Sequence, residues 1–220
     1  MNKLVIATTN PGKVAEISAL LKNLKNLEKP DKPETLENNE TAGIELLSLA
    51  DFPDIPEIIE DGETFMENAL KKARETSRFT GFAALADDSG IEVDALGGKP
   101  GVLSARFADT NDGRISKMLG LMKDVPGELR TARFKCALAV VKPDGTEWSA
   151  SDSCEGVITH EPSGSGGFGY DPIFFHPPLG KTFAEIPRAA KNKISHRGKA
   201  LQTFKNAVLS DGILDYRDAP

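Results

Sequence analysis

The chain opens with a pattern that few folds accommodate. Residues 3–8 form a short apolar, β-branched run that stops at Thr9-Asn10-Pro11-Gly12-Lys13. Asn10 has the short oxygen-bearing side chain that caps a helix, and the fixed φ of Pro11 suits a first helical position. Val14, Ile17, Leu20, Leu21 and Leu24 then recur at helical spacing. Strand, tight loop and helix thus follow one another within the first two dozen residues.

The rest of the chain extends the alternation. Residues 28–41 turn polar, with Pro30 and Pro33, and read as a surface excursion. Thr64-Phe65-Met66-Glu67 fits a capping box, and Ala69, Leu70 and Ala73 carry the helix onward. Residues 82–86 read as a buried strand that delivers Asp87-Asp88-Ser89-Gly90 at its end, and residues 112–123 as a short helix. Residues 131–141 and 146–154 flank Pro143-Asp144-Gly145, which is hairpin turn chemistry. A Gly/Ser-rich loop covers 161–169, and a closing helix follows Arg197. This mixture predicts an α/β fold with a mixed sheet and no internal repeats. At 220 residues, 1–220 reads as a single domain without a separable linker.

Composition narrows the function classes. A net charge of −6 argues against a general nucleic-acid binder, although a local basic cluster can still take one anionic ligand. The apolar start is too short for a signal peptide, and the longest apolar run elsewhere, 136–141, is far below membrane-spanning length. Cys136 and Cys154 have neither metal-like nor redox-like spacing and are expected to be buried thiols. A cytoplasmic protein with no membrane partner is expected.

Several clusters carry chemistry. Thr8, Thr9, Asn10, Pro11, Gly12 and Lys13 combine a helix N-terminus, hydroxyls, a glycine and a lysine, which suits phosphate as well as it suits an ordinary cap. No Walker A pattern occurs. Asp87 and Asp88 repel one another unless a cation or solvent meets them; Mg²⁺ is such a cation, and a surface turn is the alternative. Glu67 is explained by the capping box alone, yet a first-turn glutamate can also face a cleft, as can Glu60 in the acidic stretch before it. In residues 164–172 the glycines allow backbone to approach a flat ligand beside the rings of Phe168 and Tyr170. Lys191, Lys193, His196, Arg197 and Lys199 make a basic run in an acidic chain, fit for a polyanion or for solvent.

In their order, these motifs resemble the ITPase-like family of purine triphosphate pyrophosphatases. The resemblance runs from 7–13 through 64–69, 86–90 and 96–107 to 166–175 and 194–198, nearly the whole chain; the polar stretch 28–54 is longer than the family usually carries. It implies a two-lobed α/β protein with an elongated central sheet, a nucleotide cleft between the lobes, and a homodimer. It implies hydrolysis of ITP, dITP and XTP to monophosphate and pyrophosphate with Mg²⁺, and no nucleic-acid partner. Thr8 to Lys13 would hold the triphosphate, with Ser89 and Lys191 assisting. Asp88 would be the general base or a metal ligand, with Glu60 and Glu67 as further candidate ligands. Phe168, Gly169, Tyr170 and Asp171, with His196 and Arg197, would hold the base. A nucleotide-binding sensor without turnover is the rival reading.

Overall fold

The computed structural model describes residues 3–21 and 44–214. The expected helical position Leu24 and the polar excursion 28–41 lie outside the described residues. Among the described residues, one seven-stranded mixed sheet organises the fold, in the order β2-β1-β3-β4-β5-β6-β7. Strands β1 (Lys3–Ile6), β2 (Glu45–Ser48) and β3 (Ala83–Val93) pair in parallel, with β1 in the middle. Beyond β3 every pairing is antiparallel, through β4 (Thr131–Val141), β5 (Glu147–Ile158), β6 (Phe174–His176) and β7 (Lys181–Thr182). Strand β2 falls in the stretch read as polar, where Leu46 and Leu47 alone give too little periodicity to announce it.

Helix α1 (Pro11–Leu21) begins as expected, with Asn10 Oδ1 accepting from the N–H groups of Gly12 at 2.9 Å and Lys13 at 3.2 Å. Helix α2 (Phe65–Thr80) carries the full capping box between Thr64 and Glu67. Helix α3 (Asn111–Leu121) follows, and the closing segment divides into α4 (Arg188–Ile194) and α5 (His196–Asp211), with Ser195 capping α5. The short α4 was not legible as a separate helix.

Strand periodicity sorts the core into two faces. Leu85 of β3 and Cys136, Leu138 and Val140 of β4 pack with Ile17 and Leu21 of α1 and with Leu201 and Phe204 of α5. Ala86 of β3 and Ala137, Ala139 and Val141 of β4 pack with Phe65, Ala69 and Ala73 of α2. A further cluster joins Met118 and Met122 at the α3 end to Phe134, Phe174 and Phe183. Both cysteines are buried free thiols.

Arg130, 1% exposed, ties that last cluster together with backbone bonds alone. Its Nε donates to Ile158 O at 2.7 Å, Nη2 to Thr159 O at 2.8 Å, and Nη1 to Met122 O at 2.5 Å. Burial lowers its pKa, but the carbonyls at the ends of α3 and β5 solvate the guanidinium in place of water. Arg130→Ala leaves those buried acceptors unpaired, so it is expected to cost on the order of 3 kcal/mol in urea unfolding, with Arg130→Lys recovering only part. A loss below about 0.5 kcal/mol, the range of ordinary surface changes, would show that the carbonyls find other partners.

Candidate active site

Strand β1 pairs with β3 only as far as Ile6 against Leu85, whereas β4 pairs with β3 through Val93. Past Leu85, one flank of β3 therefore has the loop that follows β1 beside it, led by Ala7 N–H on Leu85 O at 2.8 Å. Asp87 and Asp88 lie at this step, in the middle of β3 and not at its end as the sequence suggested. The antiparallel ladder with β4 is what carries the strand through the Asp-Asp-Ser-Gly motif instead of letting it turn.

The pleat then separates the two carboxylates. Alternation places Asp87 on the Leu85 face, toward α1 and α5, and Asp88 on the Ala86 face, toward α2. Their expected repulsion is relieved because each meets its own cation.

Asp87 has no exposed surface. Lys13 Nζ pairs with its Oδ1, and Arg197 Nε pairs with its Oδ2 at 2.9 Å. Ser89 Oγ donates to Oδ1 and Cys136 Sγ to Oδ2, both at 3.0 Å. Burial alone would raise the Asp87 pKa, but Arg197 and Lys13 outweigh it and hold the carboxyl well below the usual range. Burial and the neighbouring carboxylate push the Cys136 thiol well up, so it stays protonated as a donor. Arg197 reaches further, through Nη2 to Ser89 Oγ at 2.8 Å and through Nη1 to Glu16 of α1. Burial works against its charge, and Asp87 and Glu16 more than restore it.

On the α2 face, Asp88 Oδ2 accepts from Asn68 Nδ2 at 3.2 Å, and Oδ1 faces Lys72 Nζ at 3.3 Å. Burial raises the Asp88 pKa, and Lys72 and Lys13 offset only part of that. Lys72 also pairs with Glu60 Oε1 at 2.5 Å and donates to Asp87 O at 2.8 Å. Burial opposes its charge too, but Asp88 and Glu60 prevail and its pKa is raised.

The glycine-rich loop closes over the Asp87 side. Lys191 of α4 pairs with Asp171 Oδ2 at 2.5 Å and with Glu16 Oε1 at 3.5 Å. The same Asp171 oxygen accepts from Phe168 N–H at 2.8 Å. Gly167 has φ +71, and a Cβ there would overlap Asp171 Oδ2, so only glycine fits the turn. The Phe168 ring lies against the backbone of Gly12, where a Cβ would come within 2.9 Å of it. Lys191 Nζ and Arg197 Cζ sit 5.3 and 5.7 Å from that ring's centroid.

The structure thus brings together Lys13, Ser89, Phe168, Asp171, Lys191 and Arg197, and beside them Asp88 and Glu60. Thr8, Thr9 and Asn10 form the partly open loop that leads into Pro11, Gly12 and Lys13 of α1, and Thr8 Oγ1 accepts from Asn10 N–H at 3.2 Å. Gly169 takes φ +63 on the adjoining turn. Two of the expected residues are otherwise engaged. Tyr170 is buried and donates its hydroxyl to Ser104 O at 2.9 Å, and Glu67 Oε2 accepts from Glu63 N–H at 2.7 Å and Thr64 N–H at 3.1 Å as the cap. Sequence reading missed Glu16, Asn68, Lys72 and Cys136. A signal existed for two of them: Lys72 and Asn68 fall on the same helical stripe as Ala69 and Ala73, where a buried polar residue needs a partner.

His196 is 5% exposed, its ring stacked on Phe134 with centroids 4.8 Å apart and planes 11° apart. Its Nδ1 has no hydrogen-bond partner among the described residues. Burial and the adjacent Arg197 lower its pKa well below the usual value, so the folded protein keeps the ring neutral. The unfolded chain takes up a proton below about pH 6.5, so this stabilising difference is present above that pH and lost as pH falls toward the folded pKa. His196→Phe is therefore expected to flatten the pH dependence of unfolding free energy between pH 6.5 and 5, removing about 1.4 kcal/mol per unit of slope. An unchanged slope would mean that His196 titrates normally when folded.

The chain is similar to known proteins along nearly its whole length. Residues 4–207 match the Ham1 family. The chain is 49% identical over 203 residues to a dITP/XTP pyrophosphatase of Desulforamulus reducens, covering 91% of this chain and 92% of the relative. It is 48% identical to a dITP/XTP pyrophosphatase of Geobacter sulfurreducens, covering 97% and 100%. A HAM1 protein structure from Coxiella burnetii superposes with a TM-score of 0.80 at 37% identity, covering 94% and 98%. The resemblance carried by the motifs holds along the chain, and the protein belongs to the Ham1 family.

Proposed function

We propose that this protein hydrolyses deaminated purine nucleoside triphosphates, dITP, ITP and XTP, to the monophosphate and pyrophosphate. The observation that carries the reading is the open flank of β3, where Lys13, Lys191 and Arg197 gather on one face and the Asp88–Glu60 pair on the other. Uncatalysed phosphoanhydride hydrolysis is slow enough that charge neutralisation and positioning must supply most of the rate enhancement.

The loop 8–13 and Lys13, with Ser89 and Lys191, would take the triphosphate. Asp88, with its pKa raised, is suited to orient or deprotonate water, or to ligate metal. No three His, Cys, Asp or Glu side chains form a ready-made metal cage among the described residues. Mg²⁺ is commonly held by one or two carboxylates together with phosphate oxygens, and the hard oxygens of Asp88 and Glu60 fit that demand, whereas Glu67, in the first turn of α2, has its Oε2 taken up by the cap. When bound, Mg²⁺ supplies neutralisation of the triphosphate and of the leaving pyrophosphate.

Phe168, Gly169 and Asp171, with His196 and Arg197, would form the base site, backed by the buried Tyr170, in a cleft between two lobes. Arg197 is a pure donor, which suits the 6-oxo acceptor of hypoxanthine and xanthine and meets adenine's amino group donor to donor. Its two bonds to Asp87, through Nε and Nη2, and one each to Glu16 and Ser89 leave one Nη1 hydrogen for that purpose. The reading includes a cytoplasmic homodimer with no nucleic-acid or membrane partner. No helix among the described residues is long and apolar enough to cross a membrane.

Incubation with dITP, XTP, ATP and GTP in the presence of Mg²⁺, with separate assays for pyrophosphate and orthophosphate, tests the proposal. Pyrophosphate release from dITP and XTP well above that from ATP is expected, and Asp88→Asn should cut it by on the order of 10²–10⁴ without unfolding the protein. Nucleotide binding without any release would make the protein a sensor instead.

A further inference from the structure

Lys72 stands where the two candidate metal ligands meet. Its Nζ lies 2.5 Å from Glu60 Oε1, 3.3 Å from Asp88 Oδ1 and 2.8 Å from Asp87 O. An ammonium has three donors, and these three oxygens account for all of them. All three acceptors are hard oxygens, two of them anionic, which is the donor set a small divalent cation seeks.

We propose that Lys72 is the resident counter-ion of the Glu60–Asp88 pair, so that its ammonium and a divalent cation are alternative occupants of one seat. The inference rests on the reading of Asp88 and Glu60 as the metal pair. A divalent ion placed against both carboxylates would lie within a few ångströms of the ammonium, and like charges that close in a partly buried site repel strongly. One of the two must leave. Lys72 can do so because its charge rides on a flexible four-carbon stem.

The frame of the seat does not depend on Lys72. Asn68 Nδ2 holds the other oxygen of Asp88, and Asn68 Oδ1 accepts from Gly62 N–H at 2.8 Å. Arg106 donates to Glu60 O through both Nη1 and Nη2 at 3.1 Å. Removing the ammonium therefore leaves the carboxylates facing each other in place but without compensation. In this arrangement the protein keeps its acidic pair neutralised between substrates and binds free metal weakly, and metal arriving with a triphosphate brings its own anion to the site.

Mn²⁺ titration of the nucleotide-free, full-length protein, followed by electron paramagnetic resonance, tests this directly. Lys72→Met removes the charge at similar volume and is expected to tighten Mn²⁺ binding on the order of tenfold. Lys72→Arg keeps a competing cation and should show no gain. Without metal, Lys72→Met should melt below the wild type, and saturating Mn²⁺ should raise its Tm by more than it raises the wild-type Tm. Lys72→Gln takes the place of Lys72→Met if the latter fails to fold without metal. Unchanged or weaker Mn²⁺ binding in a folded, uncharged variant overturns the proposal. Glu60→Gln and Asp88→Asn separate the two layers: if both keep wild-type Mn²⁺ affinity, the metal pair itself is wrong, and the inference falls with it. If both lose affinity while the uncharged Lys72 variant gains none, only the shared seat is wrong.

Discussion

A carboxylate with no exposed surface must be met by cations, and the way Asp87 is met decides how the rest of the site is built. One of its oxygens takes Lys13 from the first turn of α1, and the other takes Arg197 from the first turn of α5. These segments are far apart in sequence, and at this buried side chain their charges meet. The chain of charges continues from Arg197 to Glu16, from Glu16 to Lys191, and from Lys191 to Asp171 in the glycine-rich loop. Three cations and three anions alternate along it, so the buried charges balance without a ligand. The dielectric cost of burying such a set is large, and each member depends on the ones beside it.

The strand pleat gives the site its second property. Because Asp87 and Asp88 are neighbours on β3, they face opposite sides of the sheet while sharing one stretch of backbone. Asp87 faces the cations of α1 and α5 and is held ionised. Asp88 faces α2, where burial keeps its pKa raised despite Lys72. Two adjacent carboxylates with pKa values driven apart are a pattern that separates a structural charge from a reactive one. The early end of β1 matters equally, since a longer β1 would cover the flank of β3 that Lys13 now reaches.

Local chemistry was the legible part of this architecture. Asn10 and Thr64 announced their helices through capping, Pro143-Asp144-Gly145 announced the hairpin, and the motif order announced the family. The misreadings have physical causes. Asp-Asp-Ser-Gly looks like a strand end because its residues favour turns, but a ladder of ten residue pairs on the β4 side overrides that preference. Strand β2 was hidden because only four residues pair, at the sheet edge. Glu16 escaped notice as one polar residue in an apolar helical pattern, and its partners Lys191 and Arg197 are more than 170 residues away. Charge pairing across that distance leaves no local trace.

The central claim is that the buried ion network around Asp87 organises the site, and equilibrium unfolding of Asp87→Asn at neutral pH tests it most directly. The amide keeps the shape but leaves Arg197 and Lys13 without their counter-charge. A loss of about 3–5 kcal/mol is expected, as for other buried pairs broken on one side. The double variant Asp87→Asn/Arg197→Met should recover part of that loss, because removing both charges no longer strands either one. Unfolding of Asp87→Asn within about 0.5 kcal/mol of the wild type would contradict the account and mean that the cations are held by something other than Asp87.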